Sequence, residues 1–359
     1  MPTGLHIESH IVSLRPYGEE LDTYVKHYRP VMEPTCSLKE RQPVKNSVTL
    51  IFLHGLAGLK ELWEPMIERL FELEKAAGPL ETRVTIADVW AIDSPDHGES
   101  AVLNEDALRT RDDPLTCIDY ARTVVALSQS GLISTRTPSF STILVGHCGG
   151  AVSAVLSTRS ELFTKPMQTQ VDGIILISPW LFSIEMVMSH PDAHEEASQL
   201  LGYCMGTIDT WSSREEALAY FGSLDVWKTW DPRVLRLYVH HGITALRSQI
   251  NPAGKHRVTL SYPRARERRA AQMLIGVPAM LEHLPQLCRS VPVHIAFGEK
   301  QTKGVRELQR AICNQLCPLA SITDLPNTGH KAVQQSPSLV AEVIWNFLLS
   351  RKGLPYSKL

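Results

Sequence analysis

The stretch STILVGHCGGAVSAVLS, residues 141–157, most constrains what this chain can fold into. Apolar and β-branched residues lead into Gly146-His-Cys-Gly-Gly150, and small residues compatible with a helix follow. The pattern predicts a buried strand, a sharp turn and a helix, with the Cys148 side chain projecting from the turn at the helix N-terminus. A serine usually stands at this place in nucleophile elbows. Cys148 is therefore either a nucleophile or a small buried residue.

Strand and helix patterns alternate along the chain, which favours an α/β fold with a mostly parallel sheet. Two N-terminal segments, 6–14 and 21–31, are typical of an antiparallel strand pair. Helices are predicted over 114–131 and 303–317. Buried strands are predicted in VTLIFLHG (48–55), VTIADVWAIDSP (84–95), STILVGH (141–147), GIILISPW (173–180) and VPVHIAFGE (291–299), and the alternation continues in SITDLPNTGH (321–330).

Between residues 181 and 286 the pattern becomes helical and shows no buried strand. A helical block between two core strands predicts a cap over the carboxyl edge of the sheet, where ligands bind in open α/β sheets. The predicted organisation is an N-terminal strand pair joining the core sheet (1–45), the first part of the core (46–182), the helical cap (183–285), the second part of the core (286–354) and a C-terminal tail (355–359).

Composition argues against several classes of function. An apolar content of 43% and a charged content of 21% are typical of a globular protein, and a net charge of −2 gives no electrostatic reason to bind nucleic acid. No apolar run approaches the roughly 20 residues of a membrane span. The seven cysteines lack the paired spacing of a zinc site, so we expect neither a metal nor a cofactor.

The tripeptide Ser357-Lys358-Leu359 is a peroxisomal address when it ends a chain. The N-terminal residues lack the charged and apolar layout of a secretory signal. We therefore expect the protein in the peroxisomal matrix, with the peroxisomal import receptor as a partner.

Other segments supply what a nucleophile at Cys148 would need. A base belongs after the last core strand, and His330 stands there. The loop after the first buried strand, HGLA (54–57), can direct the Leu56 N–H toward a developing oxyanion, and the Gly149 N–H would be a second donor. We predict Cys148 as nucleophile, His330 as base, and Leu56 and Gly149 as the oxyanion hole.

These segments resemble those of α/β-hydrolases that have a cap between the sixth and seventh core strands. The resemblance covers about residues 46–350 and lies in LHGL (53–56), DSPDHGES (93–100), GHCGG (146–150) and GH (329–330). With its Ser-Lys-Leu end, the chain is most similar to fungal peroxisomal members, which include lipase-like enzymes and acyl-CoA thioesterases. Some of these serve secondary-metabolite or toxin pathways. The resemblance implies that Cys148 takes the nucleophile position and His330 the base position.

The residue that orients His330 departs from the family pattern, which has an acid after the sixth or seventh strand. Here Ser178 follows the sixth strand, and Gln301 follows the seventh. We predict Glu299 as the orienting acid, with Ser178, Glu185 or no residue as open alternatives. A cysteine–histidine ion pair depends less on such an acid than a serine does, and the helix N-terminus is expected to lower the pKa of the Cys148 thiol.

The predicted function is hydrolysis of an acyl thioester, such as an acyl-CoA, through an acyl-enzyme on Cys148. The alternatives are an acyltransferase or lactone-forming cyclase, a carboxylesterase, and a ligand-binding protein on an inactive hydrolase fold. Trp180 and Met186 are expected to line the acyl site. His147 is expected to pack beneath the elbow, and His54 to position its loop by hydrogen bonding.

Overall fold

The structure is a computed structural model that describes residues 4–31, 47–77, 84–133, 140–167, 169–202, 208–246, 257–262, 275–316 and 318–350. The targeting residues Ser357, Lys358 and Leu359 lie outside the described residues. None of the described helices combines the length and the hydrophobicity needed to cross a bilayer.

The described strands form one large and one small sheet. They are β1 (Leu5–Ser13), β2 (Asp22–Pro30), β3 (Ser47–Leu53), β4 (Thr85–Ile92), β5 (Phe140–His147), β6 (Val171–Ile177), β7 (Thr210–Trp211), β8 (Ile243–Ala245), β9 (Val258–Leu260), β10 (Val293–Gly298) and β11 (Ser321–Leu325). The large sheet has eight strands in the order β1-β2-β4-β3-β5-β6-β10-β11. Strand β2 pairs antiparallel with β1 and β4, and the other neighbours are parallel. The predicted N-terminal pair and mostly parallel sheet are confirmed.

The described helices lie on the two faces of this sheet and in the segment between β6 and β10. They are α1 (Glu64–Ala76), α2 (Gly98–Leu103), α3 (Glu105–Thr110), α4 (Cys117–Gln129), α5 (Gly149–Ser157), α6 (Ile184–Ser189), α7 (Pro191–Gly202), α8 (Arg214–Ser223), α9 (Pro232–His241), α10 (Gly276–Leu287), α11 (Lys303–Gln315), α12 (Ala332–Gln335) and α13 (Pro337–Ser350). The predicted helices over 114–131 and 303–317 are confirmed as α4 and α11. Helix α4 begins where the sequence allows a capping box, with Thr116 and Asp119 each bonding the other's backbone N–H.

Two apolar clusters lie on opposite faces of the sheet, and β3 contributes to both. Leu50 and Phe52 belong to the cluster beneath α1 and α13, whereas Ile51 and Leu53 belong to the one beneath α4 and α5. Alternate side chains of a strand point to opposite faces, so a strand buried on both sides must be apolar throughout. This explains why the core strands are continuous apolar runs in the sequence.

The segment between β6 and β10 contains α6 to α9 and an aromatic cluster of its own, formed mainly by Trp211, Phe221, Trp227, Trp230 and Tyr238. The sequence shows no buried strand in this segment, but β7, β9 and β8 form a small antiparallel sheet in which each strand has one buried residue. Strands of two or three residues are too short to produce a periodic signal. Helix α10 packs against core helix α5, so the predicted cap boundary at residue 285 falls inside a helix that contacts the core.

Candidate active site

Cys148 lies at the turn between β5 and α5, as the sequence predicts. Its backbone has φ 52° and ψ −118°, a conformation that non-glycine residues adopt only where the surrounding structure enforces it. Helix α5 starts so close to β3 that a Cβ on Gly150 would collide with the carbonyl groups of Leu53 and His54. The thiol is buried, with 3% of the residue exposed. The geometry is that of a nucleophile elbow.

The two predicted oxyanion donors both face the sulfur of Cys148. The backbone N–H groups of Gly149 and Leu56 act on the sulfur in the direction that favours its ionised form. An oxygen atom developing negative charge beside that sulfur would be within reach of the same two donors. The role of Leu56 and Gly149 as an oxyanion hole stays a prediction that this arrangement is compatible with.

The pKa of the Cys148 thiol differs from the expectation. Burial raises this pKa above its ordinary value, although the charge of Lys331 and the two N–H groups oppose the shift. The expected lowering of the pKa is therefore wrong, because depth of burial outweighs the helix N-terminus. At neutral pH the resting thiol keeps its proton, so attack on a substrate needs a base.

His330 lies in the loop after β11 and is close to the elbow. The Nε2–H of His147, the residue before Cys148, donates to the backbone oxygen of His330 at 2.9 Å. The Trp180 ring meets the His330 ring edge-on, with centroids 6.1 Å apart. Burial, then His147 and Lys331, hold the pKa of His330 well below its usual range. The imidazole is thus neutral and able to accept a proton.

The ring of His330 has no hydrogen-bond partner in the part of the chain that the structure describes. Its Nδ1 lies 3.6 Å from Oε1 of Glu196 in α7. The side-chain amide of Gln301 donates to the same Oε1 at 2.7 Å. Sequence analysis missed Glu196, which belongs to the segment predicted as a cap.

The structure contradicts the prediction for Glu299. This residue is exposed, and its carboxylate accepts the backbone N–H of Asn327 at 3.2 Å. Glu185 is also exposed. Ser178 is buried, with φ 41°, and its hydroxyl has no partner among the described residues. None of the three sequence candidates forms an ion pair or hydrogen bond with His330 among the described contacts.

The predicted acyl-site residues differ in position. Trp180 is buried, and its ring packs against the proposed base, while its Nε1–H donates to the Phe182 carbonyl at 2.9 Å. Met186 is half-buried in α6 and packs against the same apolar cluster that contains Trp180. Of the two, Trp180 has the direct contact with the site.

Hydrogen bonds hold the loop that presents the Leu56 N–H. The Nδ1–H of His54 donates to the Gly55 carbonyl at 2.8 Å, and its Nε2 accepts the Ser94 N–H at 3.0 Å. Burial lowers the pKa of His54 to about 3, so this ring stays neutral. The expectation that His54 positions its loop is confirmed.

A buried lysine lies directly after this loop and was not anticipated. The Lys60 ammonium is 0% exposed and contacts carboxylates of Asp93 (2.9 Å), Glu61 (2.9 Å) and Glu99 (2.8 Å). Its backbone N–H donates to Asp93 at 2.9 Å. Burial alone would lower the pKa of Lys60, but Asp93, then Glu61 and Glu99, raise it above its ordinary value. This ion cluster links the segment that follows the loop 54–57, here called the oxyanion loop, to Asp93 at the end of β4.

One group of metal-ligating residue types lies elsewhere, at the β1 edge of the sheet. Glu8, His10 and His27 bring potential ligand atoms within 4.8 Å of one another. Glu8 also accepts from Arg29 at 2.9 Å, and His27 contacts Asp88 at 2.6 Å. Ion pairs and hydrogen bonds account for Glu8 and His27, whereas the buried Nε2 of His10 has no hydrogen-bond partner among the described residues.

The fold, the elbow and its donor set together define the class of protein: this chain belongs to the alpha/beta hydrolase family, whose model matches residues 50–343. It is 25% identical over 252 residues to the type I acyl-CoA thioesterase mpaH of Penicillium brevicompactum. That match covers 69% of this chain and 50% of the relative, so the chain spans about half the length of mpaH. It is also 31% identical over 117 residues to the peroxisomal membrane protein LPX1 of Saccharomyces cerevisiae, covering 33% of this chain and 28% of the relative.

Solved structures show the same fold. The peroxisomal alpha-beta-hydrolase Lpx1 of Saccharomyces cerevisiae matches with a TM-score of 0.71 and 18% identity, covering 99% of this chain and 93% of that one. A thioesterase domain from the curacin biosynthetic pathway matches with a TM-score of 0.58 and 15% identity, covering 94% and 99%. The predicted fold class is confirmed.

Proposed function

We propose that this protein hydrolyses acyl thioesters, such as acyl-CoA, through an acyl-enzyme on Cys148. The proposal depends on one observation above all: a cysteine occupies a strained elbow, and the N–H groups of Leu56 and Gly149 converge on its sulfur. The choice of a thioester is supported by the similarity to mpaH, which is named as an acyl-CoA thioesterase.

In the first step, Nε2 of His330 takes the thiol proton as the Cys148 sulfur attacks the substrate carbonyl carbon. The N–H groups of Leu56 and Gly149 stabilise the resulting oxyanion, an interaction worth about 3 kcal/mol per donor in comparable sites. Collapse breaks the bond to the CoA sulfur, which leaves with the proton held by His330. One thioester replaces another, so the step is nearly balanced in free energy.

In the second step, water attacks the acyl-enzyme carbonyl while His330 accepts a proton from the water. The same two N–H groups stabilise the second oxyanion. Collapse breaks the bond to the Cys148 sulfur, which regains its proton from His330, and the carboxylic acid leaves. The neutral imidazole and protonated thiol of the resting site are thereby restored.

Burial of the Cys148 thiol favours acyl transfer as the second candidate. An acyl group on a residue that is 3% exposed is shielded from bulk water, so a bound hydroxyl or amine could accept it instead. Lactone formation is the intramolecular case of the same reaction. Carboxylester hydrolysis ranks third.

The test is intact-protein mass spectrometry after mixing with acyl-CoAs of increasing chain length. We expect a mass increment of one acyl group on Cys148, which disappears as free acid and CoA accumulate. Cys148→Ala should show no adduct, and Cys313→Ala serves as a matched control because Cys313 is an equally buried thiol. No adduct and no CoA release from any member of the panel would overturn the proposal and favour a ligand-binding protein.

We propose further that the protein acts in the peroxisomal matrix. The residues Ser357, Lys358 and Leu359 support an address to the matrix. The names of the Lpx1 relatives support the peroxisome as the organelle, and one of these relatives is named a membrane protein. Deleting these three residues from a protein tagged at its N-terminus should move it to the cytosol, whereas Lys352→Ala should not. Import of the truncated protein would contradict the proposal. A role in fungal secondary metabolism stays a prediction.

A further inference from the structure

We propose that Glu196, on cap helix α7, is the positioning carboxylate for His330, and that Gln301 holds Glu196 in place. In this arrangement the core loop after β10 supplies a neutral amide, and the segment inserted before β10 supplies the acid. The inference rests on the proposed role of His330 as the base.

The geometry converges on a single oxygen atom. Oε1 of Glu196 lies 3.6 Å from Nδ1 of His330 and accepts the Gln301 amide N–H at 2.7 Å. In the described ranges of the chain, Glu196 is the only carboxylate within 4.0 Å of a His330 ring nitrogen. Shortening this separation by roughly 0.7 Å would give an ordinary hydrogen bond.

The contact between Gln301 and Glu196 accounts for the absence of an orienting acid after the seventh core strand. A carboxylate at position 301 would face Glu196 as a second buried negative charge, which is strongly unfavourable. Burial raises the pKa of Glu196 above its ordinary value, and the hydrogen bond donated by the Gln301 amide opposes this rise. The sequence change from acid to glutamine after the seventh core strand is therefore matched by an acid on α7.

Burial favours a hydrogen bond between the side chains of Glu196 and His330. Glu196 is 6% exposed, and a buried carboxylate is costly unless hydrogen bonds occupy its oxygens. Both ring nitrogens of His330 lack a hydrogen-bond partner among the described residues. Donation of Nδ1–H to Glu196 would fix the tautomer in which Nε2 accepts the proton from the reacting thiol. Catalytic hydrogen bonds are often long before substrate binds.

The position of Glu196 makes the base depend on the docking of α7. Ala193 and Ala197 of this helix are buried in the core cluster, and α7 contacts α11. A displacement of α7 would leave His330 without its carboxylate while leaving the elbow unchanged. The inserted segment would thus control the reaction by orienting the base as well as by covering the substrate.

The test compares Glu196→Gln with Glu195→Gln, a matched change at the exposed neighbouring residue. The readouts are the ¹⁵N NMR tautomer of His330, assigned with His330→Ala, and the pH profile of Cys148 alkylation by iodoacetamide. The titratable groups facing His330 are His147, Lys331 and Glu196, with Cys148 adjacent. We expect Glu196→Gln to lose the Nδ1–H tautomer and to slow alkylation and turnover by about 10²-fold. Glu195→Gln should change neither.

A double variant, Glu196→Gln with Gln301→Glu, exchanges the acid and the amide. It should recover the tautomer and at least part of the alkylation rate, which a merely structural loss at Glu196 would not allow. A wild-type tautomer and alkylation profile in Glu196→Gln would overturn the inference. Neither readout uses a thioester. A protein that hydrolyses no thioester but shows the tautomer shift would therefore refute the proposed function and retain the positioning role.

Discussion

The two halves of the candidate site are held in different ways. On the nucleophile side, both ring nitrogens of His54 are hydrogen-bonded, and the Lys60 ammonium contacts three carboxylates. On the base side, neither ring nitrogen of His330 is hydrogen-bonded among the described residues, and its nearest carboxylate is 3.6 Å away on α7. In the proposed mechanism, the core would thus fix the groups that stabilise negative charge, whereas proton transfer would depend on the inserted segment.

The largest expected difference between the halves is in stability. Lys60→Met would leave the buried carboxylate of Asp93 without its lysine partner, whereas Glu61 would keep the Lys26 ammonium at 3.0 Å. The loss at Asp93 should lower the free energy of unfolding by about 3–5 kcal/mol. Glu196→Gln should cost less than about 1 kcal/mol, because an amide can still fill the same volume. Urea unfolding of both variants measures the difference. Equal decreases in the free energy of unfolding in the two variants would contradict the view that the two halves of the site are held differently.

A smaller effect should follow from crowding the oxyanion loop. A Cβ on Gly55 would lie 2.8 Å from the Cβ of Cys148 and 2.8 Å from Nδ1 of His147. Gly55→Ala should therefore displace the Leu56 N–H and lower kcat/KM by about 10²-fold. Gly222→Ala is the matched control, because a Cβ there meets no atom within 4 Å. Unchanged turnover in Gly55→Ala would show that the position of this loop is not critical.

The pH dependence of stability should reflect the buried neutral histidines beside the elbow. Burial lowers the pKa of both His54 and His147 from 6.5 to about 3. Between these values the unfolded chain binds protons that the native protein does not, so stability falls as the pH drops from about 6.5 toward 3. Each histidine contributes a slope of up to about 1.4 kcal/mol per pH unit.

This slope can be measured by urea unfolding between pH 6.5 and 4.5. His147→Asn should reduce the slope by up to about 1.4 kcal/mol per pH unit. A slope in His147→Asn equal to that of the unaltered protein would mean that the ring of His147 can become charged in the fold.

The nucleophile side could be predicted from the sequence because its parts are local. The elbow at Cys148 and the loop bearing Leu56 each follow a buried strand directly, so a short pattern indicates where the chain turns. The base side could not be predicted in full. Gln301 was recognisable as a departure, but the partner it holds depends on how α7 docks.

Like the docking of α7, the depth to which each side chain is buried could not be predicted from local sequence patterns. The helix N-terminus at Cys148 is evident from sequence, and it correctly indicates N–H groups at the sulfur, but burial reverses the expected shift of the thiol pKa. Lys60 belongs to a segment with helical spacing, where a lysine is ordinarily solvated. Only the packing of β4 against the loop brings Asp93 to it.

Peptide-resolved alkylation of the buried thiols tests most directly whether Cys148 is the nucleophile. Cys117 and Cys313 are matched internal controls, because they are as buried as Cys148 and burial raises their pKa values to about 12 and about 11. Cys148 should react with iodoacetamide at least about tenfold faster than either, because the loop of the proposed base His330 is hydrogen-bonded to His147, the residue before Cys148. Acyl-CoA should protect it, and His330→Ala should remove its advantage. Equal rates at the three thiols, unchanged by His330→Ala, would contradict the account.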